Sequence, residues 1–196
     1  MPKRDAAYME NQRERIMRAA LFCISVNGVE RTSVADIWKR ARLSAGALYV
    51  HFKGKDEIIA ATIARYSVPR EMPKIETWAD LKAVTLSPAM LGQDPEYEGI
   101  EPARLQLYLL ADAARSEVLS SIYRGFLGTN LKITADILGD LAARNEIGLH
   151  MTPQETANAL SAYVGGMWLQ GLALDRPRSE TAKAISCGMD LFVKLA

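Results

Sequence analysis

Cysteine and histidine are scarce in this chain, at two of each in 196 residues. Cys23 and Cys187 are too few and too far apart for a disulfide framework or a zinc site, and both lie in apolar helical stretches, which predicts small core residues. His51 and His150 have no carboxylate at ligand spacing, so no metal is implied. No apolar run approaches the ~20 residues of a membrane span, and residues 1–20 lack the basic–apolar–small order of a secretory leader. The expectation is a chain of the reducing cytoplasm with no membrane partner. A nucleophile–base pair and a phosphate-cradling glycine loop are also missing, so no cofactor is implied and an all-α enzyme is a remote alternative.

What the chain does have is a lopsided charge. Residues 1–55 carry eleven Lys and Arg against five acids, a surplus of +6, while the rest carries thirteen against eighteen, or −5. A basic head on an acidic body suggests that the head alone meets a polyanion.

Nothing reads as a strand. Apolar residues recur at helical spacing almost throughout, which predicts an all-α fold of about nine helices. The first spans 9–27, with Ile16, Ala20 and Cys23 on one face, and stops at Asn27-Gly28, since glycine accepts the left-handed C-cap. Ser33, with Asp36 three residues on, caps a second helix over 34–41. Arg42-Leu43 makes a tight turn and Ser44 caps a third. A fourth runs over 56–67 and ends at Pro69 and Pro73. Residues 75–86 look helical and 87–102, with three prolines and two glycines, look like a loop. Helices over 103–115, 117–145, 153–174 (opened by Pro153) and 179–195 complete the pattern.

Two short helices joined by a tight turn match a helix-turn-helix, whose second helix enters the major groove through its N-terminal residues. Ala45 and Gly46 keep the outer face small, Ser44 can donate to phosphate, and Tyr49 can bond phosphate or pack on a thymine methyl. Leu48 and Phe52 face inward. The run Ser44-x-Gly46-x-Leu48-Tyr49-x-His51-Phe52-x-x-Lys55-x-x-Ile58, preceded by Thr32-Ser33-Val34-x-Asp36-Ile37, resembles the signature of TetR-family transcriptional regulators over about residues 12–62.

That resemblance implies a homodimeric, ligand-responsive protein that binds a palindromic double-stranded operator, most often as a repressor. It divides the chain into a DNA-binding head, 1–55, and a ligand-binding and dimerisation body, 56–196. DNA contacts would fall on Thr32, Ser33, Ser44, Ala45, Gly46, Tyr49, His51 and Lys55. Arg42 is a departure, because glycine is usual at that turn. Either the turn has relaxed or the arginine supplies a further phosphate contact. Trp38 stands where a small residue is usual, and Gly54 where a serine caps the fourth helix.

In the body, Leu160, Val164 and Gly171 on one helix, and Ile185, Met189 and Phe192 on the last, form seams that suit a four-helix bundle between subunits. Asp112 and Asn130 interrupt apolar stripes, as polar groups aimed at something would. With Trp78, Leu81, Met90, Tyr108, Tyr123, Phe126, Tyr163, Met167 and Trp168 they imply an apolar, aromatic pocket for a hydrophobic small molecule. A DNA-binding regulator that answers to no ligand is the alternative, and a body without a cavity would favour it.

Overall fold

The computed structural model describes residues 6–66, 73–86 and 99–195. Among these, nine α-helices follow in order: α1 Ala6–Asn27, α2 Val34–Arg40, α3 Ala45–Tyr49, α4 Lys55–Tyr66, α5 Trp78–Thr85, α6 Pro102–Ala113, α7 Glu117–Ala143, α8 Pro153–Ala173 and α9 Arg178–Met189. No helix among the described residues is long and apolar enough to cross a membrane. The chain forms two compact units. The first takes its described residues from 6–66 and 105–123, the second from 73–86, 99–104 and 124–195.

The first unit is built on the buried stripe of α1. Ile16, Ala20 and Ile24 pack with Ile37 of α2, Leu48 of α3, Phe52, and Ile58 and Ile59 of α4. Trp38 packs at the edge of this cluster, and Leu119 of α7 joins it. α1 stops at Gly28, whose φ of +80° suits glycine and whose N–H donates to the Ile24 carbonyl at 2.8 Å. The space is needed too: a Cβ there would stand 3.3 Å from Asp112 Oδ2 and 3.6 Å from the Tyr108 ring.

α2, α7 and α8 end in one motif, with Arg42, Asn145 and Asp175 at φ +53°, +59° and +49°. At α2 the Leu43 N–H reaches the Trp38 carbonyl (3.0 Å) and the Arg42 N–H the Lys39 carbonyl (3.1 Å), the paired bonds of a Schellman cap. The turn at Arg42 is therefore left-handed and has not relaxed.

The second unit closes around Trp78, Leu81, Leu138, Leu141, Leu160, Trp168, Ile185 and Met189. Thr77 and Thr152 open α5 and α8 with capping boxes completed by Asp80 and Glu155. α8 and α9 approach closely at two glycines. A Cβ on Gly171 would stand 2.5 Å from Thr181 Oγ1, and one on Gly188 would overlap the Tyr163 phenol oxygen. Gly166 of α8 is not such a point, since a Cβ there meets nothing within 4 Å.

Three expectations need correcting here. The chain does contain strands: β1 Ile147–Leu149 pairs antiparallel with β2 Val193–Leu195, Ile147 facing Leu195 and Leu149 facing Val193. The last helix accordingly ends at Met189, and a 3-10 turn, Asp190–Phe192, leads into β2. Three-residue strands are too short for a period-2 signal to show. Cys23 is buried, and burial raises its thiol pKa, but Cys187 is exposed on α9.

Candidate DNA-binding site

α2 and α3 are short, and their ends are satisfied by named groups. At the start of α2 the Ser33 hydroxyl accepts from the Asp36 N–H at 3.1 Å, while Asp36 Oδ2 accepts from the Ser33 N–H (2.9 Å) and hydroxyl (2.6 Å). These bonds hold the Asp36 carboxyl below its usual range, the Ser33 hydroxyl contributing most. At the start of α3 the Ser44 hydroxyl accepts from the Ala47 N–H at 3.1 Å. Leu48 and Phe52 fix the inner face, at 0% and 1% exposure.

The outer face of α3 is then open. Ser44, Ala45 and Gly46 are exposed, and Tyr49 is 57% exposed. A Cβ on Gly46 would meet nothing within 4 Å, and its φ needs no glycine. Nothing inside the protein therefore requires a glycine at this place, which costs a helix stability. Val50, 61% exposed beside Tyr49, is an apolar member of this face that sequence reasoning passed over. Its exposure was hidden because α3 ends at Tyr49 and helical periodicity no longer places the next residue.

Other sequence-chosen residues are less free. Thr32 is the clearest correction: it is 2% exposed, and its hydroxyl donates to the Gly28 carbonyl at 2.7 Å, so that side chain braces the α1–α2 turn. Ser33 is exposed, but its hydroxyl serves the capping box. The Lys55 ammonium donates to the Glu30 carbonyl at 3.1 Å, and His51 is partly buried. Arg42 is exposed.

Several cations of the first unit are engaged by the protein itself. Arg13 Nη1 donates to the His51 carbonyl at 3.0 Å, and Arg15 Nη2 to the Ala41 carbonyl at 2.8 Å. Arg65 pairs with Glu14 at 2.7 Å, and the Arg40 guanidinium lies 3.4 Å from the Phe22 ring centroid. A charge count cannot separate such braces from cations that face solvent.

The residues expected at a ligand pocket divide between the two units. Asp112 belongs to the first unit, where its buried carboxylate accepts from the Val29 N–H at 2.6 Å, so it braces backbone and is not a free anchor. Tyr108 lies against Gly28 in that unit, and burial raises the phenol pKa of Tyr123 there. In the second unit Asn130 donates its amide to the Phe126 carbonyl of its own helix at 2.9 Å, which answers its polar interruption locally. Trp78, Leu81 and Trp168 are core, with Met167 packed beside them. Tyr163 donates to the Ala184 carbonyl at 3.0 Å and fastens α8 to α9. Met90 lies outside the described residues. A cavity of about 90 Å³ in this unit is lined by Trp168 together with Glu101, Arg176, Arg178 and Thr181, and is smaller than a drug-sized ligand needs.

The expected dimer seams also face inward. Leu160, Ile185 and Met189 are 4%, 0% and 1% exposed in the core of one chain, Gly171 is closed by Thr181, and Val164 and Phe192 pack on that core. These residues join α8 to α9 within the chain. A stripe at helical spacing does not say whether its partner is the same chain or a second one.

A capped helix-turn-helix with an open outer face defines a DNA-binding protein. A family model described as bacterial regulatory proteins, tetR family, matches residues 16–62. The chain is 24% identical to the HTH-type transcriptional regulator SrpR of Pseudomonas putida over 195 residues, covering 98% of this chain and 88% of that one. Among solved structures, a TetR-family regulator from Agrobacterium tumefaciens aligns with a TM-score of 0.75 at 18% identity, over 92% of this chain and 96% of that one. SmeT, the repressor of the Stenotrophomonas maltophilia multidrug efflux pump SmeDEF, aligns at 0.68 and 24%, over 93% and 90%, and has also been solved with triclosan. Over residues 16–62 the chain therefore carries a helix-turn-helix of the kind found in bacterial regulatory proteins of the tetR family.

Proposed function

We propose that this regulator acts in the cytoplasm as a homodimeric repressor, held on a palindromic operator and released by a hydrophobic or aromatic small molecule. The observation that carries the DNA half is the exposed outer face of α3, where Gly46 leaves space that no group of the protein fills. Ser44, Ala45, Gly46, Tyr49 and Arg42 face that partner; His51 and Lys55 flank it. Residues 1–55 carry this contact, and 56–196 carry dimerisation and the effector. Two recognition helices ~34–36 Å apart would read half-sites one helical turn apart.

Support for the effector comes from SmeT, whose structure with triclosan aligns over 91% of this chain. Release is a population shift: an effector that binds the two states of the dimer unequally moves the equilibrium, and one that binds them equally does nothing. Asp112 and Tyr108 of α6 seated on the α1–α2 turn give such a shift a path to the recognition unit. Fluorescence anisotropy of a labelled operator, with and without triclosan and a panel of aromatic compounds, tests this reading. At least one compound should weaken binding tenfold or more. Operator affinity unmoved by the whole panel would favour the ligand-independent regulator.

A further inference from the structure

α3 has five residues, and a helix of that length is not stable alone in water. Its inner face is set by Leu48 and Phe52, which leaves its angle about that anchor to whatever holds its C-terminal end. Arg13 of α1 is one such group. Its Nη1 donates to the His51 carbonyl at 3.0 Å, and its guanidinium carbon lies 4.2 Å from the centroid of the buried Phe52 ring. Arg15 does the corresponding work at α2, donating to the Ala41 carbonyl at 2.8 Å and to Gln12 Oε1 at 3.2 Å. Each helix of the pair thus has its C-terminal carbonyl end held by an arginine of α1, where a cation is favoured.

We propose that Arg13 is a specificity-determining positioning residue: its guanidinium, bonded to the His51 carbonyl and stacked on Phe52, fixes the angle at which α3 meets the groove. It acts through α3 and is not one of the cations that neutralise phosphate. A planar guanidinium does both tasks at once, hydrogen bonding along its edge and stacking through its face, whereas an ammonium is a point charge. Sequence bases are read by close contacts, so a small rotation of α3 weakens specific binding and leaves non-specific, phosphate-driven binding intact.

This inference rests on the DNA-binding reading, and the experiment separates the two. Full-length wild type, Arg13→Met and Arg13→Lys are titrated with the operator and with a scrambled duplex of equal length, across a salt series, at a temperature where circular dichroism shows each protein folded. Wild-type preference for the operator tests the reading itself; without it, the DNA-binding reading fails before Arg13 is considered. Given that preference, both variants should lose at least tenfold in the operator-to-scrambled ratio, with the salt slope on scrambled DNA unchanged. A phosphate contact would lower that slope by about 0.9 in Arg13→Met and spare Arg13→Lys, and that result overturns the proposal. A merely structural role would lower the melting temperature with the ratio intact, and that overturns it too. If Arg13→Met does not fold, Arg13→Lys decides alone: a wild-type ratio refutes the role of the guanidinium.

Discussion

Replacing Gly46 by alanine should make the protein more stable and a worse DNA binder. Gly46 is the second residue of α3, has no positive φ, and has no heavy atom within 4 Å of where a Cβ would stand. Alanine therefore adds no clash and removes the conformational freedom that glycine gives the unfolded chain. In a helix interior that exchange is worth about 1 kcal/mol, and in the first turn of a five-residue helix about half of that is a fair expectation. For a chain of this size, roughly 0.5–1 kcal/mol raises the melting temperature by about 1–4 °C. The same methyl projects into the space that a DNA backbone or base edge would occupy, and a tenfold loss of operator affinity corresponds to about 1.4 kcal/mol. Thermal melts by circular dichroism give the first number and operator titration the second. If Gly46→Ala binds the operator as tightly as wild type, the vacancy on α3 serves nothing outside the protein.

Arg42→Gly should stabilise the chain by about 0.5–1 kcal/mol in urea unfolding, since a left-handed arginine costs about 1–2 kcal/mol and glycine returns part of that gain to the unfolded chain. If Arg42 touches phosphate, the same variant lowers the salt slope of DNA binding by about 0.9; an unchanged slope removes it from the contact set. Gly188→Ala places a methyl on the Tyr163 phenol and should destabilise the second unit by about 1–3 kcal/mol, read as a lower urea midpoint; a wild-type midpoint would contradict the packing of α8 on α9. Acid should weaken the fold through four carboxyls held below their usual range: Asp36 and Glu155 chiefly by the Ser33 and Thr152 hydroxyls, Asp80 by the Glu76 N–H, and Asp190 by Lys82. Folded-state values lower than unfolded ones mean stability that is present above about pH 4 and lost as pH falls through the folded values. Asn at Asp190 should flatten that acid limb, and an unaltered pH profile would show the Lys82 pair to be idle.

Much of the recognition unit was legible because its signals are local. Caps at Ser33 and Ser44, the stop at Gly28 and the inward Leu48 and Phe52 all follow from neighbours within four residues. What the sequence hid is long-range. Thr32 looks like a free hydroxyl until the Gly28 carbonyl is seen to take it, and Arg13 and Arg15 count as surface charge until their carbonyl partners appear 38 and 26 residues away. The body misled for the same reason. Asp112 interrupts an apolar helix, and its partner is a backbone N–H 83 residues earlier, which no periodicity can reveal. Leu160, Ile185 and Met189 share the spacing of a subunit interface, yet they are buried within one chain. The short ribbon of Ile147–Leu149 and Val193–Leu195 had no signal of its own, because Gly148 and Lys194 pair only through the fold.

Recovery and sequencing of the genomic fragments that the purified full-length protein retains is the most direct test of the whole account. A repressor of this kind should enrich one palindrome whose half-sites lie about 10–10.5 base pairs apart, or a multiple of that turn, and Tyr49→Ala should lose the enrichment. Fragments drawn evenly from the genome, or the same palindrome retained by Tyr49→Ala and Gly46→Ala alike, would contradict the reading of α3 as the element that meets the bases.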